Sequence, residues 1–236
     1  MHRALLLALS LIALPSIAAE LEPYSASYTA DWKQLPVSGS AERSLNRLED
    51  GRWSLDFEAS MLVAGLSEKS TFMLENGIVK PLKYRFERGG LGSSKKVKQD
   101  FNWAQKTVTG SDRDKPINLP LNIGLQDKAS YQVALQLDVA DGKKSMSYQV
   151  VDGDEVETYD FRVLGEETVR TRAGLIDAIK VERVRDPTQT SRKTTLWFAK
   201  DFGNMLVRLH QVETDGKEYQ IMLKDGSVNG QPVKGR

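Results

Sequence analysis

The sequence has no cysteine and only two histidines in 236 residues. Without cysteine, no disulfide can staple the fold and no thiolate can serve as nucleophile or metal ligand, so stability has to come from an apolar core. His2 lies in the extreme N-terminus, which leaves His210 as the one imidazole in the body of the chain. A zinc or transition-metal site of the usual His and Cys kind is therefore not expected. A Ser-His-Asp triad would have to use His210, and no Gly-x-Ser-x-Gly elbow accompanies it. His210 alternates in phase with Arg208, the pattern of a solvated sheet-face histidine.

An excess of charge of one sign is missing too. The chain carries 33 Lys+Arg against 32 Asp+Glu, whereas a nucleic-acid binder needs a basic surplus to neutralise phosphates. Long apolar runs are confined to one place. Met1-His-Arg3 is followed by the small and apolar stretch Ala4 to Leu14, then Pro15 and Ser16-Ile-Ala-Ala19. This order of a basic start, an apolar stretch and a small-residue site predicts a secretory signal peptide cleaved after Ala19 or Ala18. The run is shorter than the roughly 20 residues a stable span requires, so no membrane anchor is expected after cleavage. With no cysteine nearby, a lipid-modified cysteine is excluded as well. Removal of residues 1–19 takes Arg3 and leaves 32 residues of each sign, a neutral exported chain expected in the periplasm.

What is present is alternation. Tyr24, Ala26, Tyr28, Ala30 and Trp32 alternate with Ser25, Ser27, Thr29 and Asp31. Trp53, Leu55, Phe57 and Ala59 continue the rhythm, and Glu49-Asp-Gly51 and Glu75-Asn-Gly77 punctuate it as hairpin turns. Pro36 to Gly39 reads as a further turn. Pro81 inside Ile78 to Arg88 predicts an edge position or a bulge. Pro116 to Pro120 reads as an irregular connection. Met146 to Val151, Val156 to Leu164 and Glu167 to Arg172 read as three strands, and Gly174 to Leu223 as a four-stranded meander. In that meander Leu175, Ile179 and Val181 form the apolar parity, and Asp201-Phe-Gly-Asn204 forms a turn. The segment Asp127 to Val139 fits period two through Tyr131, Val133, Leu135 and Leu137. It also fits a helix, with Asp127 as cap, and the helix is favoured. The sum is roughly a dozen strands and one short helix. The expected fold is mainly β: a single curled antiparallel meander, half-barrel or open barrel, over residues 20–236.

The ordered features resemble a known family. They are the Tyr28 strand, Asn76-Gly-Ile-Val-Lys-Pro81, Val150-Val-Asp-Gly153, Tyr159-Asp-Phe-Arg162, Asp177 to Arg183, Thr195-Leu-Trp-Phe-Ala-Lys-Asp201 and Leu206-Val-Arg208. Together these are similar to the exported bacterial proteins of the domain of unknown function 3108. The resemblance implies a single antiparallel β-rich domain and a helix at Asp127. It implies no activity and therefore no catalytic, cofactor-binding or metal-binding residue.

Several local patterns are weighed and set aside. Arg88-Gly-Gly-Leu-Gly-Ser-Ser-Lys-Lys96 looks like a phosphate loop, but a strand rather than a helix follows it. It reads as a hairpin tip with Lys95, Lys96 and Lys98 on a solvated face. Asp152-Gly-Asp-Glu155 lacks the spacing of a calcium loop, and Asp201-Phe-Gly203 lacks every companion motif of a kinase. Asp177 shares the parity of apolar neighbours and needs a partner there. Tyr24, Tyr28, Trp32, Trp53 and Phe57 either form plain core or line a concave cavity of the curled sheet.

The expected function is a non-catalytic envelope protein that binds an apolar or amphipathic ligand, such as a lipid or a lipid-bearing partner, with no cofactor. The alternatives are a carboxylate-dependent glycan hydrolase and an interaction subunit of an envelope complex.

Overall fold

The computed structural model describes residues 20–33, 38–61, 64–90 and 94–236. The signal peptide expected over residues 1–19, most of the turn before Gly39 and the tip at 91–93 lie outside these residues.

The first half of the chain is an uninterrupted meander: β1 (Tyr24–Trp32), β2 (Ser38–Arg47), β3 (Trp53–Met61), β4 (Ala64–Glu75), β5 (Ile78–Gly89), β6 (Lys95–Asn102), β7 (Thr107–Asp112) and β8 (Lys115–Pro120). The short β9 (Leu125–Gln126) and the helix α1 (Ser130–Ala140) follow. The second half returns as β10 (Ser145–Asp152), β11 (Glu155–Thr171), β12 (Gly174–Val184), β13 (Lys193–Ala199), β14 (Leu206–Val212) and β15 (Glu218–Val228), with β16 (Gln231–Pro232) folded back on β15. All belong to one 16-stranded sheet in the order β8-β7-β6-β5-β4-β3-β2-β1-β15-β14-β13-β12-β11-β10-β9. Every pair is antiparallel except β9 with β10, which α1 connects. A parallel pair needs such a crossover, because a tight turn can only join antiparallel neighbours.

The sheet is unclosed, yet its two limbs meet. The Gln126 amide Nε2 donates to the Val79 carbonyl of β5 at 2.8 Å, and Gln99 Nε2 of β6 reaches the Val151 carbonyl of β10 at 3.4 Å. Side chains thus span a seam that no backbone ladder crosses.

The helix sits inside this roll. Ala129, Val133 and Leu137 face a core shared with Tyr24, Tyr28, Leu45, Phe72 and Val108. Leu135 and Val139 face a second core with Phe161, Val181, Leu196 and Phe198. Because its apolar residues face two cores, the helix has no single apolar stripe, which is why the period of 127–139 is ambiguous in the sequence. Asp127 starts it as foreseen: its Oδ1 accepts the N–H groups of Ala129 (2.8 Å) and Ser130 (2.7 Å), and Ser130 Oγ accepts the Asp127 N–H. This reciprocal pair is a capping box two residues ahead of the first regular turn.

Three expectations are corrected. Residues Glu155–Thr171 form one strand rather than two, because the extra residue Leu164, beside Gly165 (φ +137°), is absorbed as a bulge against β12. Pro116 and Pro120 belong to strand β8, tolerated there because β8 is a terminal strand of the sheet. In β12 the buried residues are Ile176, Ala178 and Val181, so the inward parity switches along the strand. Pro81 is interior and not at an edge; the register of β4 and β5 shifts beside it, the bulge that was the other option.

Candidate functional site: an arginine-lined cleft

Tyr24, Tyr28 and Trp53 are buried side chains of the first core, while Trp32 and Phe57 are partly buried. Tyr28 donates to the Leu206 carbonyl at 2.7 Å, and Tyr24 accepts from the buried Arg43 Nε at 2.8 Å. Tyr24, Tyr28, Trp53 and Phe57 are plain core, the first of the two readings, while Trp32 packs outside it against Tyr219 at 5.4 Å.

The opening lies where the start of α1 meets the far ends of β10 to β14. It is a cleft of about 630 Å³, in the size range of small-molecule sites. Two other openings, of about 390 and 580 Å³, are grooves lined largely by Ser and Glu side chains of β1 to β5.

The cleft is built from strand ends. Inward parity carries Val181 to Arg183 along β12, and Arg185 follows in the turn. From β13, the parity of Leu196 and Thr194 leads to Arg192. The Arg183 guanidinium carbon lies 3.3 Å from the Tyr159 ring centroid, a cation–π contact. Tyr131 of α1 stacks on Phe161 at 5.7 Å and meets Tyr159 edge-on at 5.2 Å, which makes an aromatic wall. Leu196 and Leu209 extend it.

Charges here are partly satisfied. Asp152 accepts from Lys128 Nζ (Oδ1, 2.7 Å) and from the Tyr159 hydroxyl (Oδ2, 2.7 Å). Burial acts to raise the Asp152 carboxyl, but these two partners hold it below the ordinary value. Glu68 of β4 accepts the Tyr84 hydroxyl at 2.6 Å, yet burial pushes its carboxyl up to about 7. Arg192 donates to Glu213 at 3.0 Å, and Arg183 stands 4.0 Å from Glu157. Arg185 has no acid within ion-pair distance among the described residues. Burial, then the neighbouring Arg183 and Arg192, pull its pKa down to about 10.

The residues weighed from sequence lie elsewhere. His210 pairs with Glu218 at 2.8 Å on β14, half-buried. Asp177 accepts from Thr168, its cross-strand neighbour, at 2.6 Å, and through both oxygens from the single Arg236 Nη2, at 2.9 and 2.8 Å. Lys95 and Lys96 pair with Asp112 and Glu87 beside an exposed Lys98, and the 152–155 and 201–204 segments are turns. No group of three or more His, Cys, Asp or Glu among the described residues is arranged to hold a metal ion. The arginines went unremarked in the sequence. Their signal was the pattern Arg183-x-Arg185 continuing an apolar parity, with Arg192 entering the next strand.

Comparisons with known proteins follow this geometry. A family model described as "Protein of unknown function (DUF3108)" matches residues 27–224. No curated protein matches. Among solved structures, the chain is similar to a β-barrel-like protein of domain of unknown function DUF1849 from Brucella abortus. The TM-score is 0.59 at 11% identity, covering 89% of this chain and 99% of that one. It is also similar to the MucA/MucB complex structure of Pseudomonas aeruginosa, at a TM-score of 0.37 and 13% identity, with 91% of this chain aligned to 54% of the other, about half its length. The first likeness shows a shared fold; the second is too distant to carry an argument. No described helix is long and apolar enough to cross a membrane.

Proposed function

Since the chain belongs to the DUF3108 family, whose description carries no activity, we propose from the cleft alone that it is a non-catalytic binding protein of the cell envelope. It is exported to the periplasm and holds an amphipathic ligand, a lipid or a lipid-bearing partner. The observation that carries this reading is the pairing of surfaces in one opening of about 630 Å³. Tyr131 and Leu209 supply a smaller apolar part of the lining over the buried Phe161 and Leu196, and Arg183, Arg185 and Arg192 a cationic rim. Apolar walls gain by releasing water from a hydrocarbon, while a polar rim orients the ligand's head.

The test is native mass spectrometry of the mature protein purified from periplasm, followed by solvent extraction. The expected result is a cleaved chain carrying an added mass that extracts as lipid. A bare mass, with no uptake after incubation with phospholipid micelles, would refute the reading.

One observation favours a second reading, a carboxylate-dependent hydrolase. Glu68 and Asp152 line the same cleft with pKa values pushed apart, the division of roles a general acid and its ionised partner need. Each oxygen of Asp152 already accepts a hydrogen bond, from Lys128 and from Tyr159, which stabilises the anion and makes it a weaker nucleophile and base. Hydrolysis therefore ranks second. Release of reducing ends from peptidoglycan, abolished by Glu68→Gln, would reverse that order.

A further inference from the structure

We propose that Arg183, Arg185 and Arg192 form an oxyanion site that takes the phosphate group of the ligand. The inference rests on the cleft being a binding site and assigns the chemistry of the ligand's head. Three nitrogens, Arg183 Nε, Arg185 Nη1 and Arg192 Nε, are buried and have no protein hydrogen-bond partner. Buried guanidinium N–H groups are rarely left unsatisfied, because each forfeits its hydration without replacement. Here all three belong to side chains that line one opening.

The neighbouring acids do not answer them. Asp152 is held by Lys128 and Tyr159, and Glu68 by Tyr84. Asp186 is turned into its own loop, where it accepts the Thr188 N–H (2.9 Å) and hydroxyl (2.7 Å). Glu157 stands off Arg183 at 4.0 Å, and Asp160 is exposed. Glu213 engages Arg192 through Nη2 and leaves Nε unpartnered. Three neighbouring guanidiniums, one of them without an acid among the described residues and all with a donor left over, form a site that can take an anion. Arginine supplies planar, forked donors suited to phosphate oxygens. Three separate donors match the three free oxygens of a phosphate monoester better than the two of a carboxylate. Tyr159 under Arg183 fixes one guanidinium before the ligand arrives, so less ordering is needed on binding.

The experiment is calorimetric titration of the mature protein with three probes: inorganic phosphate, dihexanoyl phosphatidic acid below its micellar concentration, and dihexanoylglycerol, which lacks the phosphate. Arg185→Gln and Arg185→Lys are run beside the wild type, with thermal unfolding of each. The phosphatidic acid is expected to bind at least about tenfold more tightly than the glyceride, and Arg185→Gln to abolish that preference, as loss of one charged hydrogen bond does. Arg185→Lys should recover part of it, because charge without the fork is a weaker match. Arg185→Gln should melt no lower than wild type without ligand, since it removes a repelled charge, which separates loss of binding from loss of fold. Equal binding of the phosphatidic acid and the glyceride would overturn the oxyanion site and leave the cleft reading intact. Inorganic phosphate binding as tightly as the lipid would support the site and assign it to free phosphate, against a lipid. Binding of none of the three would overturn both.

Discussion

Asp127 offers the sharpest test of how the interior is wired. The residue is fully buried, and its carboxylate accepts three hydrogen bonds: the N–H groups of Ala129 and Ser130, and the Ser70 hydroxyl at 2.6 Å. Each favours the ionised form, but burial outweighs them and raises the pKa from 3.8 to about 6. An acid whose folded pKa exceeds its unfolded one binds more protons when folded. Its stabilisation is complete below the unfolded value and is lost as pH rises through the folded one. Two pKa units correspond to about 3 kcal/mol, lost between about pH 4 and 6. Asp127→Asn is neutral at every pH and keeps an oxygen for the two helix N–H groups. Its amide can donate to Ser70, whose hydroxyl turns to accept. The variant is therefore expected to match wild type near pH 4 and to exceed it by up to about 3 kcal/mol above pH 7. Urea midpoints followed by tryptophan fluorescence at pH 4, 5, 6 and 8 measure this. Glu68, raised to about 7 by burial and in part by the Asp127 charge, adds a further decline that the variant retains in smaller measure. Asp127→Ala should instead lose about 1–3 kcal/mol at all pH, because the N–H groups and the hydroxyl lose their acceptor. Parallel pH profiles for wild type and Asp127→Asn would refute the argument.

Two further predictions concern the scaffold. Gly110 has φ +154°, and a Cβ there would lie 1.9 Å from the Lys98 carbonyl oxygen. Gly110→Ala should therefore cost about 3 kcal/mol or more and lower the melting temperature by about 6–12 °C; a fall under about 2 °C would contradict the close approach of β6 and β7. Asp177→Asn removes the ion pair with Nη2 of an Arg236 side chain that is 73% exposed. The expected loss is under about 1 kcal/mol with ligand uptake unchanged, and a loss of uptake would return Asp177 to the list of functional residues.

Much of the sheet is legible in the sequence because two signals agree there: period-two burial, as in Tyr24-x-Ala26-x-Tyr28, and turn pairs such as Asn76-Gly77. Legibility fails where burial is two-sided. Met205, Leu206 and Val207 are all buried because the two cores flank this stretch, so alternation says nothing. The same cause blurs Asp127 to Val139. Pro116 and Pro120 misled because a strand at the end of a sheet does not need every N–H. The cleft was not legible for a different reason. Arg183, Arg185 and Arg192 acquire meaning only when rolling of the sheet brings Tyr131 and Glu68 from other limbs to the same opening. No local pattern records that.

The pairing of β1 with β15 has a consequence for how the chain reaches this state. Tyr24 lies opposite Val228, so the middle of the sheet is a joint between the N-terminal and the last long strand among the described residues. Residues 24–120 can zip up as successive hairpins as they emerge, and so can 145–228, since every other antiparallel neighbour among the long strands is adjacent in sequence. Between the two events β1 has β2 on one side and nothing on the other. That exposed ladder is a template for the wrong strand, from the same chain or another. For a molecule that emerges N-terminus first, the hazard lasts until residue 228 arrives. A nascent chain stalled or clipped before β15 keeps an open central edge, and it is the natural client of a holding chaperone or a protease.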